Sequence, residues 1–386
     1  MTISERLEDS RKPEQPEIVP RTEYDGNDGF IQTGPLTVEP NNHEDILREF
    51  GYDPDKVQIF GHPKISKWQQ RARIRGTSDY ETTWLTAYKF TITAKGFSVD
   101  LPALYNEVRK TKPPKNQKNT ANASVVVCWA DVQVGKVDHL GGLEELLLRL
   151  EAKRVALEGY LRNAKFNKIV VADVGDIIEG FSNIASQHRT NCLSLMDQVD
   201  VAATELWKTL QLCAKYAPVD VLAIPSNHCA WRRDGKSLAG KPTDDWGLHI
   251  NKRLERSAAE TKMPMTFHRP TGFEEVLQFN INGTMLALAH GHQVSSPDQI
   301  KNWWAKMTHA GVLNADILLT GHFHFASLRP SGRDYATGKS RWHIQAPTLD
   351  NGSSWWKYKQ GEDGDPALAV FRVTNDGFDI SSFALL

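Results

Sequence analysis

The chain has no apolar run approaching the ~18 residues that a membrane-spanning helix requires. Its first residues, MTISERLEDSRK, hold no apolar stretch of the secretory-signal kind. Cysteine is scarce: Cys128, Cys192, Cys213 and Cys229 are the only four, and none forms a CxxC pair. Their mostly apolar neighbours exclude a disulfide scaffold and point to buried thiols in a reducing compartment. A cytoplasmic protein that does not engage membranes is the expectation. Net charge is also nearly absent, at −1. That excludes a uniformly basic or acidic protein, but the charge is unevenly spread. Residues 1–50 hold 12 acidic and 5 basic residues, whereas residues 51–120 hold 6 and 13. A basic segment behind an acidic one can attract a polyanion or hold the acidic segment itself.

The 386 residues suffice for two or three domains. Residues 1–42 are rich in Pro, Glu, Asp, Asn and Gly without sustained periodicity, and read as a disordered acidic tail. Residues 43–108 read as a small basic α+β domain able to contact nucleic acid. Within it, His43–Phe50 suits a short helix. Trp84, Thr86, Tyr88, Phe90 and Ile92 alternate along TTWLTAYKFTIT, the period of a strand with one aromatic-rich face. Residues 109–123, with a Pro-Pro pair and several lysines, read as a basic linker. Residues 124–386 then alternate short apolar runs with helical spacing, as in LEELLLRLEAKRVALEGYL and residues 195–217. That order predicts packed α/β layers.

Five of the apolar runs stop at residues with metal-ligand chemistry. SVVVCWADVQ ends in Asp131 and Gln133, and KIVVADVGDIIEG in Asp176 and Glu179. VDVLAIPSNH ends in Asn227 and His228, TMLALAHGH in His290 and His292, and ADILLTGHFH in His322 and His324. Ligands in α/β sheets bind beyond the carboxyl ends of strands. Carboxylate, amide and imidazole together suit a divalent cation such as Mn²⁺, Fe²⁺ or Zn²⁺. Two such ions about 3.5–4 Å apart would clamp a phosphoryl group.

In this order the motifs resemble the calcineurin-like metallophosphoesterase superfamily, whose pattern is D-x-H, G-D-x-x-[D/E], G-N-H-[D/E], a His before Gly, then G-H-x-H. The resemblance spans about residues 124–350 and implies a two-sheet α/β/β/α sandwich. It implies a first metal on Asp131, Gln133, Asp176 and His324, and a second on Asp176, Asn227, His290 and His322, with Asp176 bridging. It casts His228 as the catalytic histidine beside the leaving oxygen, with a metal-bound hydroxide attacking phosphorus. Mn²⁺ is the first choice of ion, with Mg²⁺, Fe²⁺ and Zn²⁺ the others. Gln133 stands where the family has His, which predicts a weaker first metal. Ser226 replaces the Gly before Asn227. Cys229 replaces the acidic residue that orients the histidine.

Arg189, Arg232, Lys136 and His292 lie near the motifs and are candidates to hold the substrate phosphate, the arginines bidentately. Trp231 and the pairs Trp303–Trp304 and Trp355–Trp356 are candidates to stack on unpaired bases. The substrate expected is a nucleic-acid phosphodiester. The alternatives are a small-nucleotide phosphohydrolase and a catalytically weak scaffold of the same fold. An Arg after the acidic residue of the second motif would suit phosphoproteins, but Gly180 and Phe181 stand there instead. A homo-oligomer is compatible with everything above.

Overall fold

The computed structural model describes residues 18–26, 28–38, 40, 42–74, 80–94, 121–181, 187–233, 236–237, 240–354, 357–358 and 364–386. The chain divides into two units, residues 1–98 and 99–386.

In the first unit, β1 (Arg21–Tyr24), β2 (Asp28–Gln32), β3 (Val57–Arg73) and β4 (Tyr80–Ala94) form an antiparallel sheet in the order β1-β2-β4-β3, with α1 (His43–Glu49) between β2 and β3 in sequence. The Asn42 side chain caps α1 by accepting from the Glu44 N–H, and Ile46 and Leu47 are its buried residues. They join Ile31, Val57, Tyr88, Phe90 and Ile92 in one small core. The alternation along β4 therefore does mark a buried face, although Trp84 at its outer end is 54% exposed. Residues 1–17 of the expected acidic tail lie outside the described residues, and the described part that follows departs from the expectation of disorder. Arg21–Tyr24 pairs with Asp28–Gln32 across a turn at Gly26, and fully buried Ile31 sits opposite Phe90. A single alternating pair of apolar residues and an Asp-Gly turn suffice for a hairpin once β4 supplies the rest of the core. Most of the expected linker and the end of the expected basic domain fall in residues 95–120, outside the described residues; Ala123 already belongs to the next strand.

The second unit starts with β5 (Ala123–Trp129), α2 (Leu143–Asn163), β6 (Lys168–Asp173), α3 (Leu195–Ala214) and β7 (Val219–Ala223). A two-residue ribbon, β8 (Arg232–Arg233) and β9 (Lys236–Ser237), precedes α4 (Trp246–Thr261). Then come β10 (Met265–His268), β11 (Leu277–Ile281), β12 (Thr284–Leu288), α5 (Ile300–His309), β13 (Ile317–Thr320), β14 (Ser327–Arg333), β15 (Ser340–Gln345), β16 (Ala369–Thr374) and β17 (Gly377–Leu385). Two sheets result, one in the order β10-β7-β6-β5-β16-β17 and the other β11-β12-β13-β15-β14. Strands β5, β6, β7 and β10 are mutually parallel, as are β12, β13 and β15.

Strand β5 shows why the layers stack as they do. All seven of its residues are buried, which requires cover on both faces. Val125, Val127 and Trp129 pack with Leu146, Leu150, Leu157 and Leu161 of α2 and with residues of α3 and α4. Val126 and Cys128 face the other way, against Leu286, Leu288, Ile317, Leu319 and Ile344 of the second sheet. Ala287 and Leu318, on that sheet's far face, meet Ile300 and Trp304 of α5. The order helix, sheet, sheet, helix is the α/β/β/α sandwich the motifs implied. Each fully buried Val or Leu contributes about 1.5–3 kcal/mol relative to exposure. No helix among the described residues is long and apolar enough to cross a membrane.

Candidate metal centre

The loops that follow β5, β6, β7, β12 and β13 carry the motif residues. Five of the seven non-glycine residues with left-handed backbone, among those described, lie there: Asp131 (φ 48°), Gln133 (φ 45°), Asp176 (φ 51°), His322 (φ 71°) and His324 (φ 67°). Such a conformation costs an L-residue about 1–2 kcal/mol and persists only when the surroundings enforce it. Here a web of hydrogen bonds enforces it. Asp131 N–H donates to Gly175 O (3.1 Å) and Gln133 N–H to Asp176 O (2.9 Å). Asp176 N–H donates to Ser226 Oγ (2.8 Å), and His322 N–H donates to Asp131 Oδ2 (2.9 Å). Gly175 (φ 99°) is required beside Asp176, since a Cβ there would lie 2.5 Å from Ser226 Cβ and 2.8 Å from His290 Nδ1. A Cβ on Gly321 would lie 2.4 Å from Asp131 Oδ2.

Asp176 is the hub. Its Oδ1 accepts from the His228 backbone N–H (2.8 Å), and its Oδ2 lies 2.9 Å from His290 Nε2. His290 Nδ1 donates to Val174 O at 2.8 Å, which leaves Nε2 as the atom aimed at the centre. Ligand atoms of Asp176, His290 and His322 all lie within 4.8 Å of one another. Burial and the neighbouring His290 ring pull the His322 pKa down to about 2, so its imidazole is neutral, the form a metal binds. Burial opposes ionisation of Asp176, but the His290 and His228 rings outweigh it and hold its carboxyl well below the usual range. Asp131 goes the other way. Burial raises it, more than the His324 and His290 rings lower it, and Asp176 adds a smaller repulsion. Asp176, His290 and His322 offer one carboxylate and two imidazoles, a donor set that suits a divalent ion, and Asn227 lies on the turn after β7.

His228 stands beside this group. Its Nδ1 donates to Glu179 O (2.8 Å) and lies 3.3 Å from Glu179 Oε2. Its Nε2 is 4.0 Å from Asp176 Oδ2. Burial works against the charged ring, yet Asp176 and Glu179 carry its pKa up to about 10. Glu179 thus orients the ring, so the Cys at position 229 does not leave the histidine unheld. Buried Cys229, its thiol pushed well up by burial, is part of the core. Gln187 secures Glu179 by donating from Nε2 to its backbone O (2.9 Å). Ser226 accepts its Cβ without strain because its φ is not left-handed, and its hydroxyl is the acceptor for Asp176.

The other side of the centre differs from the expectation. Gln133 Oε1 accepts from Lys136 Nζ at 2.7 Å, and the same ammonium donates to Asp350 Oδ2 at 2.5 Å. Lys136 is 8% exposed and Asp350 is 0% exposed. Lys136, a candidate phosphate contact by sequence, is therefore committed inside the protein. Burial would raise the Asp350 carboxyl, but Lys136 and His324 hold it well below the usual range. His324 places Nδ1 3.3 Å from Asp350 Oδ2 and Nε2 3.7 Å from Asp131 Oδ1. Asp350 was not singled out from the sequence. IQAPTLD is a sixth apolar run ending in a carboxylate, but no family motif marks it.

His292 lies at the edge of the cluster, its ring 5.5 Å from that of His290 and its Nε2 3.8 Å from Glu275 Oε2. The side chains of Arg189 and Arg232 lie outside the described residues, although their backbones fall in the helical turn Gln187–Thr190 and in β8. Half-exposed Trp231 stacks on Trp246 with centroids 5.8 Å apart. Trp303 and Trp304 pack into the core under α5 and do not form a platform for bases. Trp355 and Trp356 lie outside the described residues.

No protein-family model matches this chain, and no curated protein sequence does. Among solved structures it is similar to wild-type Vps29 of Entamoeba histolytica complexed with zinc, at 10% identity over 68% of this chain and 97% of that one, with a TM-score of 0.30. It is similar to a metallophosphoesterase of Sphaerobacter thermophilus, at 12% identity over 69% and 88%, with a TM-score of 0.30. A conserved Streptococcus pneumoniae protein described as a predicted phosphoesterase gives 10% identity over 69% and 99%, with a TM-score of 0.26. What the site's own residues build therefore has to decide the function.

Proposed function

We propose that this chain is a divalent-metal-dependent phosphoesterase of the calcineurin-like type. The observation that carries the proposal is the convergence of Asp176, His290 and His322 on one point, each held by a strained or fully buried loop at a strand end. A divalent ion held by Asp176, His290 and His322 would supply Lewis acidity toward a phosphoryl oxygen and toward the attacking water. The protein contributes the rest. Glu179 fixes the His228 ring through Nδ1 and leaves Nε2 facing Asp176 and Gln133. In its protonated form that Nε2 donates to the leaving oxygen of the ester. His292, whose ring lies 5.5 Å from that of His290, is our candidate to hydrogen-bond a phosphate oxygen in place of Lys136.

The substrate we assign is a nucleic-acid phosphodiester. Support comes from the first unit, where cross-strand register sets Lys67, Gln69 and Arg71 on the same face as Trp84. Trp84 and Tyr80 are each more than half exposed, and the Arg71 guanidinium lies over the Tyr80 ring at 5.2 Å. Exposed rings interleaved with basic groups suit unpaired bases and their phosphates. The test is hydrolysis by metal-stripped protein with Mn²⁺ restored, run on bis-p-nitrophenyl phosphate and on labelled single-stranded DNA, with Asp176→Asn as control. Cleavage of both, lost in the variant, supports the whole proposal. Cleavage of the small diester alone removes the nucleic acid. Silence on both removes the enzyme and leaves a scaffold.

A further inference from the structure

We infer that Lys136 blocks the first-metal position, so that this chain holds one tightly bound divalent ion, on Asp176, Asn227, His290 and His322. The inference rests on the phosphoesterase proposal and departs from the two-ion expectation.

An amide can offer a metal only its oxygen. In Gln133 that oxygen accepts from the Lys136 ammonium at 2.7 Å. Turning the amide over would set its NH₂ donors against the ammonium donors of Lys136, which favours the present orientation. Nor can Lys136 swing away. Its Nζ is anchored by Asp350, and that carboxylate is fully buried. Breaking a buried pair of this kind strands a charge in low dielectric. Asp350 is itself locked from behind, since Arg149 donates to its backbone O at 2.9 Å and Gly352 N–H to its Oδ1 at 2.9 Å. A divalent ion at Gln133 would also face an ammonium across one oxygen, a like-charge contact with little water to screen it.

His324 keeps Nδ1 on Asp350 at 3.3 Å and its Nε2 3.7 Å from Asp131 Oδ1, so these two stay available on this side and the block rests on Gln133 and Lys136. On the other side nothing comparable intrudes among the described residues. Asp176, His290 and His322 already lie at mutual distances that one ion can span. A neutral amide at position 133 and an ammonium at position 136 are thus one device. The fixed cation takes the place that an imidazole ligand and a second ion would need.

The test is the metal content and magnetism of the full chain. Protein stripped of metal is loaded with excess Mn²⁺, desalted and assayed for manganese per chain and by electron paramagnetic resonance. One ion per chain with the spectrum of an isolated Mn²⁺ is expected. Two ions, or an exchange-coupled pair, would overturn the inference and leave the phosphoesterase proposal standing. No retained ion, with the fold intact by circular dichroism, would overturn both. The variant Gln133→His combined with Lys136→Met is expected to retain two ions and show the coupled signal. Should that variant not fold, Gln133→Ala decides instead. Unchanged stoichiometry and Mn²⁺ affinity by calorimetry are expected, and a tenfold or larger loss of affinity would show that Gln133 is a ligand after all.

Discussion

The hydroxyl of Ser226 accepts a hydrogen bond from the backbone N–H of Asp176 at 2.8 Å, so a residue at the end of β7 sets the hub residue at the end of β6. Asp176 is fixed in a left-handed conformation by this bond, and its side chain gathers His290 and the His228 loop. Ser226→Ala leaves a buried N–H without its acceptor. A loss of about 1–3 kcal/mol is expected by urea unfolding. Weaker Mn²⁺ binding by calorimetry should accompany it, and a stability loss without any change in binding would show that the bond serves the fold alone.

His228 and Asp176 should separate chemistry from metal binding. His228→Ala is expected to lower turnover of bis-p-nitrophenyl phosphate by about 10²–10⁴-fold, the usual worth of a positioned proton donor, with manganese content intact. Asp176→Asn should lose both. Full metal content in the asparagine variant would remove Asp176 from the ligand set.

Asp350 is predicted to matter more for stability than its place outside the motifs suggests. Asp350→Ala strands the Lys136 ammonium in the interior, at a cost of about 3–5 kcal/mol. Asp350→Asn should cost less, since the amide oxygen still accepts from Lys136. Equal unfolding midpoints for the two variants would rule out an electrostatic origin.

Asp245 gives the protein a pH dependence of a particular sign. Its carboxylate caps α4 by accepting from Leu248 N–H and also accepts from Ser226 N–H, but burial raises its pKa to about 7. A folded-state value above the unfolded one means that the folded protein holds the proton more tightly. The associated stability is present at low pH and is lost as pH rises through about 7. The slope from this one group is at most about 1.4 kcal/mol per pH unit. Urea midpoints measured from pH 5 to pH 8 should show a smaller decline in Asp245→Asn than in the wild type; parallel curves would exclude Asp245 as the source.

Thiol chemistry offers a check on the interior. Cys128, Cys213 and Cys229 are buried, and Cys192 is exposed. Ellman's reagent should titrate one thiol in the folded chain and four after denaturation. More than one fast-reacting thiol in the folded chain would contradict the packing around β5, α3 or the β7 loop.

The strand-end motifs were legible because period and chemistry coincide there. Each apolar run is a buried parallel strand, and each terminal Asp or His marks where the chain leaves the sheet. Alternating apolar runs and helical spacing disclosed packed α/β layers, the two-sheet sandwich came only with the resemblance of the motifs, and β5, buried along its whole length, agrees with it. What the sequence did not disclose depends on tertiary distance. Lys136 lies three residues from Gln133, yet its meaning comes from Asp350, 214 residues away. Glu179 holds His228 chiefly through a backbone carbonyl, which no residue identity encodes. The hairpin from Arg21 to Gln32 was hidden because its strands are short and mostly exposed or half-exposed, and its single buried anchor, Ile31, gains meaning only opposite Phe90.

The five left-handed residues around the centre have a consequence for any laboratory evolution of this chain. At each of them glycine would relieve backbone strain of about 1 kcal/mol, and at Asp176 and His322 it would also remove a proposed ligand of the ion. A screen for heat tolerance alone would therefore drift toward a hardier and inert protein. Variants recovered from such a screen should carry glycine at positions 131, 133, 176, 322 or 324, and the order in which these are lost would rank how much strain each loop bears.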